Sequence, residues 1–158
     1  MSKGKAFVVV GHSHWGKTFT LNALTEECGG GRGKRSVNIK NKKIPIKKMS
    51  NDDEPDRGEN LLGFIKKRAA SQTQAIVMPF CPNFSDERKK ETKEILKTLN
   101  SFYDIFFLVL KNAYNDTRKI VPSEIGELER YGVVEEISGK LECEVRAEKF
   151  KNFIGKFL

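Results

Sequence analysis

The sequence predicts an α/β fold, a mostly parallel sheet with helices on both faces. Three observations carry that expectation. Nearly unbroken apolar runs at Ala6–Val10, Ala75–Phe80 and Asp104–Leu110 read as strands buried on both sides. Segments with apolar residues at helical spacing lie between them. The two kinds alternate along all 158 residues, with no internal repeat and no dividing linker. One domain spanning 1–158 is expected, long enough to bury a real core.

Taken in order, Ala6–Val10 is the first strand. Lys17–Glu27 follows as a helix offering Phe19, Leu21, Ala23 and Leu24 for burial, stopped by Gly29-Gly30-Gly31. Val37, Ile39, Ile44 and Ile46 then alternate with polar residues. They predict a two-stranded ribbon near 35–48, or a loop followed by a strand, with one apolar face. The stretch NDDEPDRGEN, 51–60, has the composition of an acidic turn. Asn60–Ala70 places Leu61, Leu62, Ile65 and Ala69 on one helical face, with Lys66, Lys67 and Arg68 outward.

Ala75–Phe80 is a second buried strand. Ser85–Ser101 reads as a helix capped by Ser85, with Asp86 and Glu87 in its first turn. Its stripe is Ile95, Leu96, Leu99 and Phe102. Asp104–Leu110 is the most apolar run and should be central. Pro122–Arg130 is a short helix with Pro122 in its first turn, and Gly132–Ile137 an edge-like strand. Val145–Leu158 closes as an amphipathic helix presenting Phe150, Phe153, Ile154 and Phe157.

No apolar run approaches the ~20 residues of a membrane span. Ala6–Val10 is shorter than a signal-peptide core of roughly 7–15 residues, so a cytoplasmic protein is expected. Cys28, Cys81 and Cys143 are odd in number and widely spaced, which argues for reduced thiols rather than disulfides or a zinc knuckle. Cys81, in PFCPNF, is the one to examine for reactivity. The net charge of +8 favours anionic partners. Much of it lies between Arg32 and Lys48, a segment without an acid. That segment reads either as a solvated hairpin or as a surface for nucleic acid or an acidic protein.

The chemistry concentrates at GHSHWGKT, Gly11 to Thr18. The spacing Gly-x4-Gly-Lys-Thr begins directly after an apolar strand and runs into a helix, the context a phosphate-cradling loop requires. These residues resemble those of the P-loop NTPase superfamily. The resemblance rests on this loop and its flanking strand and helix, and beyond them on the α/β pattern alone. It implies a three-layer sandwich and a nucleoside triphosphate bound with Mg²⁺.

In that reading Gly11 and Gly16 allow close backbone approach and positive-φ turns. Backbone N–H groups across Gly11, His12, Ser13, His14, Trp15, Gly16, Lys17, Thr18 and Phe19 face the phosphates, helped by the positive end of the helix. Lys17 bridges the β- and γ-phosphates and Thr18 ligates Mg²⁺. His12, His14 and Trp15 are large for such a loop. They either pack structurally or form the rim, or His14 or Trp15 stacks on the base or sugar, or a histidine meets the γ-phosphate. A His-x-His zinc site has no evident third ligand.

Hydrolysing members place an acid after a later strand to support Mg²⁺ and water. Here Ala75–Phe80 runs into Cys81-Pro82-Asn83 and Asp104–Leu110 into Lys111-Asn112. The carboxylates that do follow a strand are Asp52, Asp53 and Asp56. That position is similar to the acid of the superfamily's small-molecule and nucleotide kinases. Asp52 and Asp53 are the catalytic candidates beside Lys17, and Asp53 joins Thr18 as metal ligand. An Asn-Lys-x-Asp guanine signature is missing, so ATP is expected rather than GTP, with NAYND (112–116) as a base-contacting loop.

Three functions follow. One is a Mg²⁺-ATP hydrolase acting as a switch or motor subunit. Another is a small phosphotransferase with Asp52, Asp53 or Asp56 as base and Arg57 or Arg68 as a lid cation. The third is a silent nucleotide binder working through its basic segment. Sites of the superfamily are often completed across a subunit interface, for which Arg118 or Arg130 are candidates in an oligomer.

Overall fold

The computed structural model describes residues 3–25, 35–52, 57–85 and 87–158, apart from the side chain of Arg57. The elements run Gly4–Val10 (β1), Lys17–Leu24 (α1), Ser36–Ile39 (β2), Lys42–Pro45 (β3), Arg57–Ala70 (α2), Ala75–Phe80 (β4), Lys89–Phe102 (α3), Tyr103–Leu110 (β5), Pro122–Glu129 (α4), Gly132–Ile137 (β6) and Cys143–Phe157 (α5). The main sheet has the order β4-β1-β5-β6 with every pair parallel. The fold is α/β, a four-stranded parallel sheet flanked by helices.

The apolar runs are unbroken because both sheet faces are covered. In β1, Ala6, Val8 and Val10 pack with Leu61, Ile65, Ile95, Leu96, Leu99 and Leu128 of α2, α3 and α4. Phe7 and Val9 face the opposite layer, with Leu21 of α1 and Phe150, Phe153 and Ile154 of α5. At roughly 1.5–3 kcal/mol for each fully buried large apolar side chain, these two clusters dominate the folding free energy.

The basic ribbon is an antiparallel hairpin, Val37 opposite Ile44, with Lys40 and Asn41 at positive φ in its turn. Its apolar face of Val37, Ile39, Ile44 and Ile46 is buried against the α1/α5 layer. Arg35, Lys40, Lys42 and Lys43 face solvent, while Arg32 and Lys34 lie outside the described residues. A parallel bridge from Ile46 to Val77 and a 2.9 Å bond from Lys47 N to Val77 O attach the end of the hairpin to β4.

Four expectations need correction. The turn expected over 51–60 gives way to helix at Arg57, so α2 is longer than its apolar stripe. The helix after β4 starts at Lys89, with Arg88 at its cap position, not Ser85. Residues 81–84, directly after β4, are taken up by tight turns, Asn83 N donating to Cys81 O and Phe84 N to Pro82 O. Phe102 is exposed because Tyr103, the first residue of β5, takes the buried position at that junction. Phe19 is also exposed, since α1 turns Thr20, Leu21 and Leu24 inward. The expected end of α1 at Glu27 falls outside the described residues; the described helix ends at Leu24, and Thr25 caps it.

Candidate functional site

Gly11 to Thr18 joins β1 to α1 at the carboxyl end of the sheet. Gly11 N donates to Phe80 O (3.1 Å), which pins the loop's start to the end of β4. Two residues take left-handed backbone, His14 (φ 67°) and Gly16 (φ 94°). Gly16 occupies the N-cap of α1, with no side chain capping the helix. That leaves the first-turn N–H groups of α1 with no capping side chain, an arrangement suited to an anion.

Lys17 is buried and folds back over its own loop. Its Nζ donates to Gly11 O (2.5 Å) and His12 O (2.9 Å) and lies 3.5 Å from Asp52 Oδ2. Asp52 reaches the loop from the segment after Ile46. Asn51 docks that segment on β4, its amide bonding Cys81 N (2.7 Å) and Cys81 O (3.1 Å). Arg88 Nη1 holds Asp52 O at 2.8 Å.

The Asp52 side chain is 3 % exposed. Burial opposes its ionisation, but the Lys17 ammonium and the hydrogen bond from Ser13 outweigh burial and keep the carboxyl below its usual range. Oδ2 accepts from Ser13 Oγ at 2.6 Å, while Oδ1 is buried with no hydrogen-bond partner among the described residues. Among the described residues, Thr18 Oγ1 makes a single long contact, 3.5 Å to Lys48 O. Asp53 and Asp56 lie outside the described residues; among the described residues, Asp52 is the acid of the three that reaches the loop.

The large loop residues separate. Trp15 is a core side chain, 1 % exposed, packed in the α1/α5 layer. It is therefore packed structurally and offers no open ring for stacking. His12 stands edge-on to it, ring centroids 5.1 Å apart. Its Nε2 meets Glu124 Oε2 of α4 at 2.6 Å, and its Nδ1 lies 3.8 Å from Cys81 Sγ. Burial pushes the Cys81 thiol up to about 12, so it is a protonated wall rather than a nucleophile.

Two groups could not be read from motif spacing. Arg146 of α5 is buried against the loop, donating from Nε to Thr20 Oγ1 (2.8 Å), from Nη1 to Leu141 O (2.7 Å) and Gly139 O (3.2 Å), and from Nη2 to Gly16 O (3.4 Å). Glu124 reaches His12 from 112 positions along the chain. Neither has a sequence neighbour that signals the contact. In the loop after β5, Asn112 Oδ1 accepts from Gly139 N (2.7 Å), a structural tie, and Tyr114 stays exposed with its ring against Arg146.

A cleft of about 420 Å³ opens beside the loop, lined by His12, Ser13, Trp15, Cys81, Asn83, Arg118 and Lys119. A groove of about 560 Å³ between α2 and α3 carries surface charges of both signs, with no residue of the loop in its lining. No family model and no curated protein matches this chain.

Proposed function

We propose that the protein binds a Mg²⁺-nucleoside triphosphate, ATP in the first instance, on Gly11–Thr18 and transfers its γ-phosphoryl group. The observation that carries the reading is the meeting of Lys17 and Asp52 on that loop. A buried lysine rests on loop carbonyls beside an ionised carboxylate with one orphaned oxygen. A triphosphate offers Lys17 better acceptors than those carbonyls, and the uncapped first-turn N–H groups of α1 would receive the same anion. Gly11 N and Trp15 N are already spent on Phe80 O and His12 O.

The residues suit Mg²⁺, a hard cation taking oxygen donors from one or two carboxylates plus phosphates. The Thr18 hydroxyl and Asp52 Oδ1 would hold it, with the expected Asp53 lying outside the described residues. The metal would neutralise charge on the β- and γ-oxygens. This chain's own part is to orient the phosphates with Lys17 and loop N–H groups, and to keep Asp52 ionised through Lys17 and Ser13.

Water as acceptor makes the protein an NTPase, the first reading. An organic hydroxyl makes it a kinase. The position of Asp52, after the segment bridged to β4 at Ile46, favours this second reading. Calorimetric titration with Mg²⁺ and a non-hydrolysable ATP analogue tests both. Saturable binding by the native protein, abolished by Lys17→Ala, is expected; a Lys17→Ala variant that binds equally well overturns the proposal.

A further inference from the structure

We propose that the cleft beside the phosphate loop is a phosphoryl-acceptor site for a small phosphate monoester carrying a free hydroxyl, with His12 as general base. This rests on the reading of Gly11–Thr18 as a triphosphate site and names what takes the phosphoryl group.

The location comes from the topology. The connection after β1 departs to the α1/α5 layer, whereas those after β4 and β5 depart to the α2/α3/α4 layer. A crevice opens at the carboxyl ends of parallel strands where successive connections leave in opposite directions, and ligands of open α/β sheets bind there. His12, Ser13 and Trp15 come from the first connection, Cys81 and Asn83 from the second, Arg118 and Lys119 from the third. The volume of about 420 Å³ falls within the range of small-molecule sites and far exceeds the roughly 30 Å³ of a water.

The lining states the ligand's charge. Among the described residues it holds two cations and no carboxylate. Asp116 pairs with Arg118 from outside the lining, at 2.8 Å. The loop carrying the cations is closed by the Asn112–Lys119 bridge and a 2.9 Å bond from Ala113 N to Arg118 O, so both are presented from a fixed turn. Adjacent Arg and Lys suit a phosphate dianion. Ser13 and Asn83 add polar groups to the wall.

The base is set by its neighbours. Glu124 Oε2 accepts from His12 Nε2 at 2.6 Å, so in the neutral ring the lone pair sits on Nδ1. Cys81 Sγ lies nearer to Asn83 Oδ1, at 3.3 Å, than to that nitrogen, at 3.8 Å, so Asn83 is the closer acceptor for the thiol proton. The backbone carbonyl of the same His12 lies 2.9 Å from Lys17 Nζ, so base and phosphate-binding lysine share one loop. In the step, the acceptor oxygen bonds the γ-phosphorus as the bond to the β,γ-bridging oxygen breaks. The electron pair leaves with the nucleoside diphosphate, and the hydroxyl proton passes to His12 Nδ1.

Trp15, the only tryptophan, lies in the cleft wall and reports its occupancy. The protein is saturated with Mg²⁺ and the imido analogue of ATP, then titrated with glycerol 3-phosphate, with glycerol as neutral control. Expected is a saturable fluorescence change with the phosphate ester alone, weakened about tenfold or more in Arg118→Ala/Lys119→Ala. With γ-labelled ATP, label should pass to glycerol 3-phosphate and fall on the order of 10²-fold in His12→Gln, analogue binding being kept. No saturable change, an undiminished change in the double variant, or undiminished transfer in His12→Gln overturns the acceptor site. Failure of the analogue to bind instead overturns the triphosphate reading beneath it.

Discussion

Ser13 Oγ donates to Asp52 Oδ2 at 2.6 Å, joining the Gly11–Thr18 loop to a segment 39 residues downstream. The bond, with Lys17 at 3.5 Å from the same oxygen, makes one unit of two pieces of chain and directs the free Asp52 oxygen.

Asp52→Asn should lower ATP turnover by at least about 10²-fold while leaving nucleotide binding measurable in the absence of metal. Its folded-state pKa lies below the unfolded value of about 3.9. The carboxylate thus contributes stability that is present above about pH 4 and is lost as pH falls through the folded value. Urea midpoints from pH 2 to pH 7 should show an acid limb that is shallower in Asp52→Asn. Equal acid slopes in both proteins would remove the ion pair from the account.

Lys17 and Asp52 should be coupled. A cycle of Lys17→Met, Asp52→Asn and the double variant is expected to give an interaction energy of about 0.5–3 kcal/mol. Each single change strands a buried polar partner, so the double variant should be less destabilised than the sum. Strict additivity of the denaturation free energies contradicts the contact.

Gly16→Ala meets two obstacles, a φ of 94° and Arg146 Nη2 at 2.8 Å from the added Cβ. A loss of about 1–3 kcal/mol is expected, together with lost nucleotide binding. Arg146→Lys should also destabilise by about 1–3 kcal/mol, because one ammonium cannot reach the Thr20, Gly16, Gly139 and Leu141 oxygens together. Thermal unfolding of each variant is the measurement. A native Tm in Arg146→Lys would show that the fork geometry is dispensable.

Cys81 should resist iodoacetamide in the native protein at pH 7 to 9, since burial holds its thiol near 12. The buried neutral thiol contributes stability that is full below the unfolded value of about 8.5 and declines as pH rises toward the folded one. Cys143, half-buried, should label before Cys81. Peptide mapping after timed alkylation distinguishes them, and early labelling of Cys81 contradicts its burial.

The strands β1, β4 and β5, the hairpin with its apolar face, and the helical stripes of α2 and α5 were legible because each is a local periodicity set by burial on one or two faces. Gly11–Thr18 was legible for a related reason, since a tight turn between strand and helix restricts residue type at fixed spacing. The start of α3 and the exposure of Phe102 and Phe19 were not. They depend on which neighbour fills a space first, as Tyr103 does at the start of β5. His12 shows the same divide, its place in the loop plain from spacing and its partner Glu124 visible only once α4 is folded against it. By itself the sequence determined that a strand, a glycine-bearing turn and a helix follow one another at Gly4–Leu24, because backbone geometry is written locally. Only the tertiary structure decided that Asp52, Arg146 and Glu124 converge on that turn, because contacts across the chain depend on how the layers pack around a shared sheet.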